Sequence, residues 1–301
     1  MSLHIGYSKI MVDKDSKIIG STFKNLRKEN RYKGPDLVKG IMSVSSLTKF
    51  EAGKLNLSFI KIVQLLDRMH VSVDEFIQLA KPGLCQDYQI FVKRIYAAYY
   101  HKDLRTLNSI LLDEQQKYKK SKNIFHLLLQ ATAASLIKEL NPSFEVEPSI
   151  RDGLCDYLMV IENWGNFQIS VFSNCLALLN PRLIYSITKE ISFKISKLGN
   201  IHNNKRYALF AIVKAIEVLT DHGEINCARG LITFLDNIKI SEIQQLTRFK
   251  LAFFKNILFD DQQKAIQDNN VLIEALRITG SNRLASSFEE YQENYFNSHK
   301  S

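Results

Sequence analysis

The chain reads as all-α, with a short five-helix domain over residues 18–80 followed by an array of helical hairpins over residues 84–301. Three observations predict it. Glycine and proline number only 12 and 5 in 301 residues, too few for the many turns of a sandwich or barrel. Apolar residues recur at helical spacing along nearly the whole chain. Beyond residue 84 the breaks fall so that two successive helices occupy about 40 residues, the period of a helical-hairpin solenoid.

Residues 1–17 precede the first clear stripe and read as an N-terminal extension. The first helix of the short domain is "IIGSTFKNLRKEN", with Ile19, Phe23 and Leu26 on one face. "GPDLVKGI" is the second, Pro35 suiting a first turn where its missing N–H costs nothing. "SVSSLTKFEAGK" is the third, with Ser43 as N-cap and Gly53 just past its end. "SFIKIVQLLDRMH" follows with Ser58 as its cap, and "SVDEFIQLA" opens on a capping pattern from Ser72 to Glu75. Lys81-Pro82-Gly83 then breaks the pattern and marks the domain boundary.

Further helices are expected to begin near residues 85, 103, 122, 147, 165, 181, 203, 224, 242, 262 and 281. The tetratricopeptide consensus is matched poorly, so the tetratricopeptide-like reading rests on spacing, and an irregular helical bundle stays open beside it. Stacked hairpins bury their faces on their neighbours and leave one long surface for ligands.

Composition narrows the classes. A hydrophobic share of 46% with 24% charged residues is ordinary for a soluble domain. No stretch approaches a membrane span, and the acidic residues Asp13 and Asp15 argue against a secretory signal. Cys85, Cys155, Cys175 and Cys227 form no C-x-x-C pair and read as small hydrophobes of a reducing cytosol. No nucleotide-binding, zinc-hydrolase or serine-hydrolase signature is present, and the seven histidines are dispersed. Neither catalysis nor a metal or cofactor is expected.

The net charge of +9 is uneven: residues 1–80 hold 13 Lys+Arg against 8 Asp+Glu, the remaining residues 27 against 23. A polyanionic partner suits the basic front. Within it, Val44, Leu47 and Phe50 are the apolar positions of the third helix, while Ser45, Ser46, Thr48 and Lys49 point elsewhere. Short hydroxyls let the helix seat deeply in a DNA major groove, and lysine reaches guanine acceptors. Ser43 and Val44 belong to the same face's start, and Lys24, Arg27, Lys28 and Lys54 would grip the phosphates on either side.

"IGSTFKNLRKEN", "VSSLTKFEAGKLNLSF" and "LLDRMHVSVDEF" together resemble the Cro/lambda-repressor type helix-turn-helix, and specifically the Rgg/MutR regulators of the RRNPP superfamily. "IENWGNFQISVFSN" and the overall length resemble that family too. The resemblance implies a homodimeric, cytoplasmic transcription regulator of quorum sensing, with operator DNA and a short peptide pheromone as partners. It makes Ser43–Glu51 the recognition helix and pairs Arg27 with Glu51. The chain departs from the pattern in its longer N-terminus and in a second helix without the usual glutamine.

A peptide groove needs apolar pockets and side chains that satisfy the peptide's backbone and terminus. Arg151, Asn163, Asn174, Asn203 and Lys214 are the candidates, with caps or surface positions as the alternative for each. Trp164, the single tryptophan, suits packing at a helix junction. A dimer interface is expected over residues 262–297, where Leu272, Leu276, Leu284 and Phe288 need cover. A peptide-independent regulator and a helical protein-binding adaptor are the rival readings.

Overall fold

Phe23 is fully buried and meets Phe50 and Phe76 edge-on, with ring centroids 5.3 and 6.2 Å away. This trio centres the first of two units in the computed structural model, which describes residues 3–81, 87–197 and 202–298. The first unit, Met1–Arg94, contains α1 (Leu3–Glu29), α2 (Gly34–Val38), α3 (Val44–Glu51), α4 (Phe59–Arg68) and α5 (Val73–Ala80). Leu26, Leu37, Leu47, Leu65, Leu66 and Met69 close around the aromatic trio. Each such side chain contributes about 1.5–3 kcal/mol by leaving water.

The caps follow the sequence with one exception. Ser43 and Ser72 accept from the backbone N–H groups of Ser46 and Glu75, and Pro35 occupies the first turn of α2. Ser58 stands at the N-cap of α4 but makes no side-chain cap bond there. The first helix starts earlier than its apolar stripe does, at Leu3. Residues 14–17 are held to the unit: Lys81 pairs with Asp15 at 2.5 Å, and Ser16 donates to Asn56.

α6 (Asp87–Tyr100) runs across the division, and the second unit is Ile95–Ser301. It contains α7 (Leu104–Ser121), α8 (Ile124–Leu140), α9 (Pro148–Met159) and α10 (Asn166–Asn174). After a 3-10 turn at Leu176–Leu178 come α11 (Pro181–Lys197), α12 (His202–Asp221), α13 (Ile225–Asp236), α14 (Gln245–Phe259), α15 (Gln262–Ile278) and α16 (Asn282–Ser298). Every one of these helices begins within three residues of its expected start. Among the described residues there is no strand, and no helix is long and apolar enough to cross a membrane.

One continuous core fills the second unit. α12 lies at its centre and packs against α10, α11, α13 and α14. Trp164 is buried at the turn before α10, edge-on to Phe172, and its indole N–H donates to Glu190 at 3.1 Å. Cys175 is buried and Cys155 and Cys227 are half-buried, while Cys85 lies outside the described residues. Burial pushes the Cys175 thiol up to about 12, which makes it inert as a nucleophile.

The expectation for the last helices needs correction. Phe288 is buried between Phe249 and Phe253, at centroid distances of 4.7 and 4.8 Å. Leu272, Leu276 and Leu284 pack on the same core. Their own chain covers Phe288 fully and the three leucines in part, because α14, α15 and α16 pack on one another. The large apolar side chains left exposed on α15 are Val271 and Ile278, two turns apart on one face.

Candidate nucleic-acid interface and ligand face

α3 is amphipathic in an unusual way. Its inner residues Leu47 and Phe50 are buried, while Val44, Ser45, Thr48 and Lys49 are exposed. The hydroxyls at its start are partly engaged: Ser43 and Ser46 bond each other at 2.9 Å, and Thr48 donates back to the Val44 carbonyl. Ser45 and Lys49 project from the same unit as the exposed Lys24, Lys28 and Lys54. Such a helix offers donors, acceptors and a cation on a slim outer face, the chemistry that reads base edges.

Two glycines let α1 approach α3 closely. A Cβ at Gly20 would lie 2.2 Å from the Phe50 carbonyl oxygen. Gly53 has φ +68°, and a Cβ there would meet the Lys17 backbone at 2.7 Å. Both contacts bring the two helices together at the end of α3, where Arg27 crosses to Glu51. Arg27 Nε and Nη2 donate to the two Glu51 carboxylate oxygens at 2.6 and 2.9 Å, and Nη1 donates to the Tyr32 carbonyl. The bond to Glu51 holds the Arg27 pKa above its ordinary value, against the lowering effect of burial. With all three guanidinium nitrogens bonded internally, and the Nε/Nη2 fork taken by Glu51, Arg27 pins α3 in place and does not present that fork to a phosphate.

Sequence reasoning missed Arg68. Its guanidinium donates to the carbonyls of Leu37 and Lys39 at 2.6 and 2.9 Å, which satisfies acceptors at the end of α2. The turn between α2 and α3 is therefore held from α4. An arginine in the last turn of a helix reads as complement to its own dipole, so nothing local pointed to this role.

In the second unit, α12 from residue 205 onward is buried along all but one side. The remaining stripe carries Tyr207, Phe210, Lys214, Glu217 and Asp221 at spacings of three and four residues. Tyr207 and Phe210 are 48% and 40% exposed, so this core helix presents two open aromatic side chains. The polar members are partnered from other helices. Lys214 reaches Glu139 of α8 at 3.2 Å, and Tyr99 of α6 donates to the other oxygen of that carboxylate at 2.8 Å. Lys250 of α14 donates to Glu217 at 2.9 Å, and Tyr291 of α16 donates to Asp221 at 2.5 Å.

This ladder has perturbed acid–base properties. Burial pushes the Tyr99 and Tyr291 hydroxyls far up, assisted by the neighbouring carboxylates Glu139 and Asp221. Asp221 is pushed up to about 6, by burial first and by the Glu217 charge, against lowering by Tyr291 and His222. Aromatic side chains beside hydrogen-bonding groups on one stripe suit an extended peptide with apolar side chains.

Of the candidates named from sequence, the structure brings Asn174 and Lys214 toward one cluster. Asn174 is buried and accepts at 2.6 Å from Tyr96, whose ring lies 6.3 Å from that of Tyr99. Arg151 and Asn163 are exposed, on α9 and in the turn before Trp164. The side chain of Asn203 lies outside the described residues. Glu139, Glu217, Asp221, Tyr99, Lys250 and Tyr291 were not anticipated. The spacing of Lys214, Glu217 and Asp221 was the one available signal. Among the described residues, no group of three or more His, Cys, Asp and Glu is placed to hold a metal ion.

Residues 109–290 match the model of the C-terminal domain of the HTH-type transcriptional regulator Rgg, more than half of the chain. Three solved structures share the fold. The SHP pheromone receptor Rgg2 of Streptococcus dysgalactiae superposes with a TM-score of 0.74 at 18% identity, covering 92% of this chain and 99% of that one. A PrgX/iCF10 complex gives 0.69 at 18% identity, covering 92% and 96%. A bacterial peptide pheromone/receptor complex gives 0.69 at 19% identity, covering 94% and 99%.

Proposed function

Since the chain belongs to the Rgg family of HTH-type transcriptional regulators, we propose that it binds operator DNA through α3 and is controlled by a short peptide on the α12 stripe. In this reading residues 18–80 are the DNA-binding domain and residues 84–301 the regulatory domain of a cytoplasmic homodimer. The observation that carries it is the outer face of α3, Ser45, Thr48 and Lys49, standing exposed above buried Leu47 and Phe50.

Lys24, Lys28 and Lys54 supply phosphate contacts, and Ser43 and Val44 mark where the helix enters the groove. A dimer follows from the reading of two half-sites. Its contact on the last helices uses Val271 and Ile278, the side chains that the core leaves exposed. Peptide bound along Tyr207, Phe210 and Lys214 shifts the dimer only as far as it prefers one arrangement, typically about 1–3 kcal/mol. The PrgX/iCF10 complex and the pheromone/receptor complex, of like fold, support this ligand class.

Gel shifts on the DNA upstream of the gene, with and without peptides encoded beside it, test both halves. Loss of the shift in a Thr48→Ala/Lys49→Ala double variant is expected. An unchanged shift overturns the DNA reading, and a shift that no neighbouring peptide alters favours the peptide-independent regulator.

A further inference from the structure

A cavity of about 470 Å³ opens in the second unit between the ends of α6 and α8 and the turn joining α15 to α16. Tyr99, Tyr100, Lys102, Leu140, Arg283 and Leu284 contribute to its wall. The lining includes two cations and no carboxylate. Three other cations of this unit pair with carboxylates: Lys214 with Glu139, Lys250 with Glu217, Arg277 with Glu289. The Arg283 guanidinium instead lies over the Tyr100 ring, 5.5 Å from its centroid. Stacking of this kind orients a cation while leaving its charge uncompensated.

The geometry points to a site for the free C-terminal carboxylate of the ligand peptide, held by Arg283 and Lys102. This rests on the peptide reading above. Tyr99 connects the two places, because it lines the cavity and also donates to Glu139, the partner of Lys214. A chain lying along the α12 stripe past Lys214 therefore ends at the cavity. The volume falls within the range of about 300–1,000 Å³ for small-ligand pockets, enough for the end of a peptide. Leu140 and Leu284 give its last side chain an apolar wall, and Ser281 adds a hydroxyl to the lining, whereas the Ser287 hydroxyl donates to the Arg283 carbonyl at 3.1 Å. α16 begins at Asn282 in this wall, and the positive end of its dipole adds to the two cations.

The test uses the full chain, immobilised, and a library of short apolar peptides made in two forms, free acid and C-terminal amide. Retained peptides are counted by mass spectrometry. The free acids are expected to be retained about tenfold over the amides, a preference that Arg283→Gln abolishes and Arg283→Lys partly keeps. Arg283 is exposed, so an unchanged circular dichroism melt controls for folding. Equal retention of acids and amides overturns the carboxylate site and leaves the peptide reading standing. Retention of neither form overturns both. Stabilisation of the parent, but not of Arg283→Gln, by inorganic phosphate as strongly as by the acids reassigns the cavity to small anions and overturns the proposal.

Discussion

Arg27 and Glu51 form a two-bond fork, at 2.6 and 2.9 Å, across the junction of α1 and α3. Their side chains are 15% and 7% exposed, so neither charge is well solvated on its own. Removing one partner leaves the other partly buried without a counter-charge, which in such pairs costs about 3 kcal/mol. Arg27→Ala and Glu51→Ala should each speed hydrogen exchange of the α3 amides and weaken operator binding. Arg27→Ala combined with Glu51→Ala should cost less than the sum of the two. Additive effects would show that the pair does not hold the helix.

Lys49 and Thr48 stand on the outer face of α3 and do not serve the core. Changing Lys49 to Ala should cost about 1–3 kcal/mol of operator affinity if it reads a base. The melting temperature should stay unchanged. Binding isotherms at several salt concentrations separate the cases, since a phosphate contact alone would reduce the salt slope by about one.

Asp221 titrates near 6 in the folded chain against 3.8 for an ordinary aspartate. Between those values the folded state binds more protons than the unfolded one, so this group's stabilisation is full below about 3.8 and lost as pH rises through about 6. Asp221 is exposed to solvent in part, which limits the effect to about 1 kcal/mol or less. Asp221→Asn should therefore melt at or above the parent at pH 7, with a flatter melting profile through that acid window. A parent whose stability rises through the window faster than the variant's would refute the assignment.

Val271→Glu with Ile278→Glu should shift the sedimentation of the chain toward monomer while leaving its helix content intact. Leu276→Glu, placed in the packed side of the same helix, should instead destabilise the second unit by several kcal/mol. Monomeric parent protein at micromolar concentration would remove the basis for the interface.

Helix starts were readable because caps and breaks are local. Asp103, Asn123 and Asp261 each accept a backbone N–H from the first turn that follows them. The ladder on α12 was unreadable for the opposite reason. Spacing places Lys214, Glu217 and Asp221 on one face, but their partners Glu139, Lys250 and Tyr291 lie 75, 33 and 70 residues away. Amphipathicity likewise shows that Leu272 and Leu276 need cover without saying whose. It was their own chain's.

The division of α3 has a consequence for how such a protein can change. Leu47, Phe50 and Glu51 serve the core and the fork, whereas Ser45, Thr48 and Lys49 face outward. Exposed substitutions of this kind usually alter stability by no more than about 0.5 kcal/mol. On the proposed reading of α3, the outward positions can thus be rewritten one at a time, by drift or by design, to address a different promoter without refolding the domain. The same chassis can acquire new vocabularies while its grammar stays in Phe23, Phe50 and Arg27.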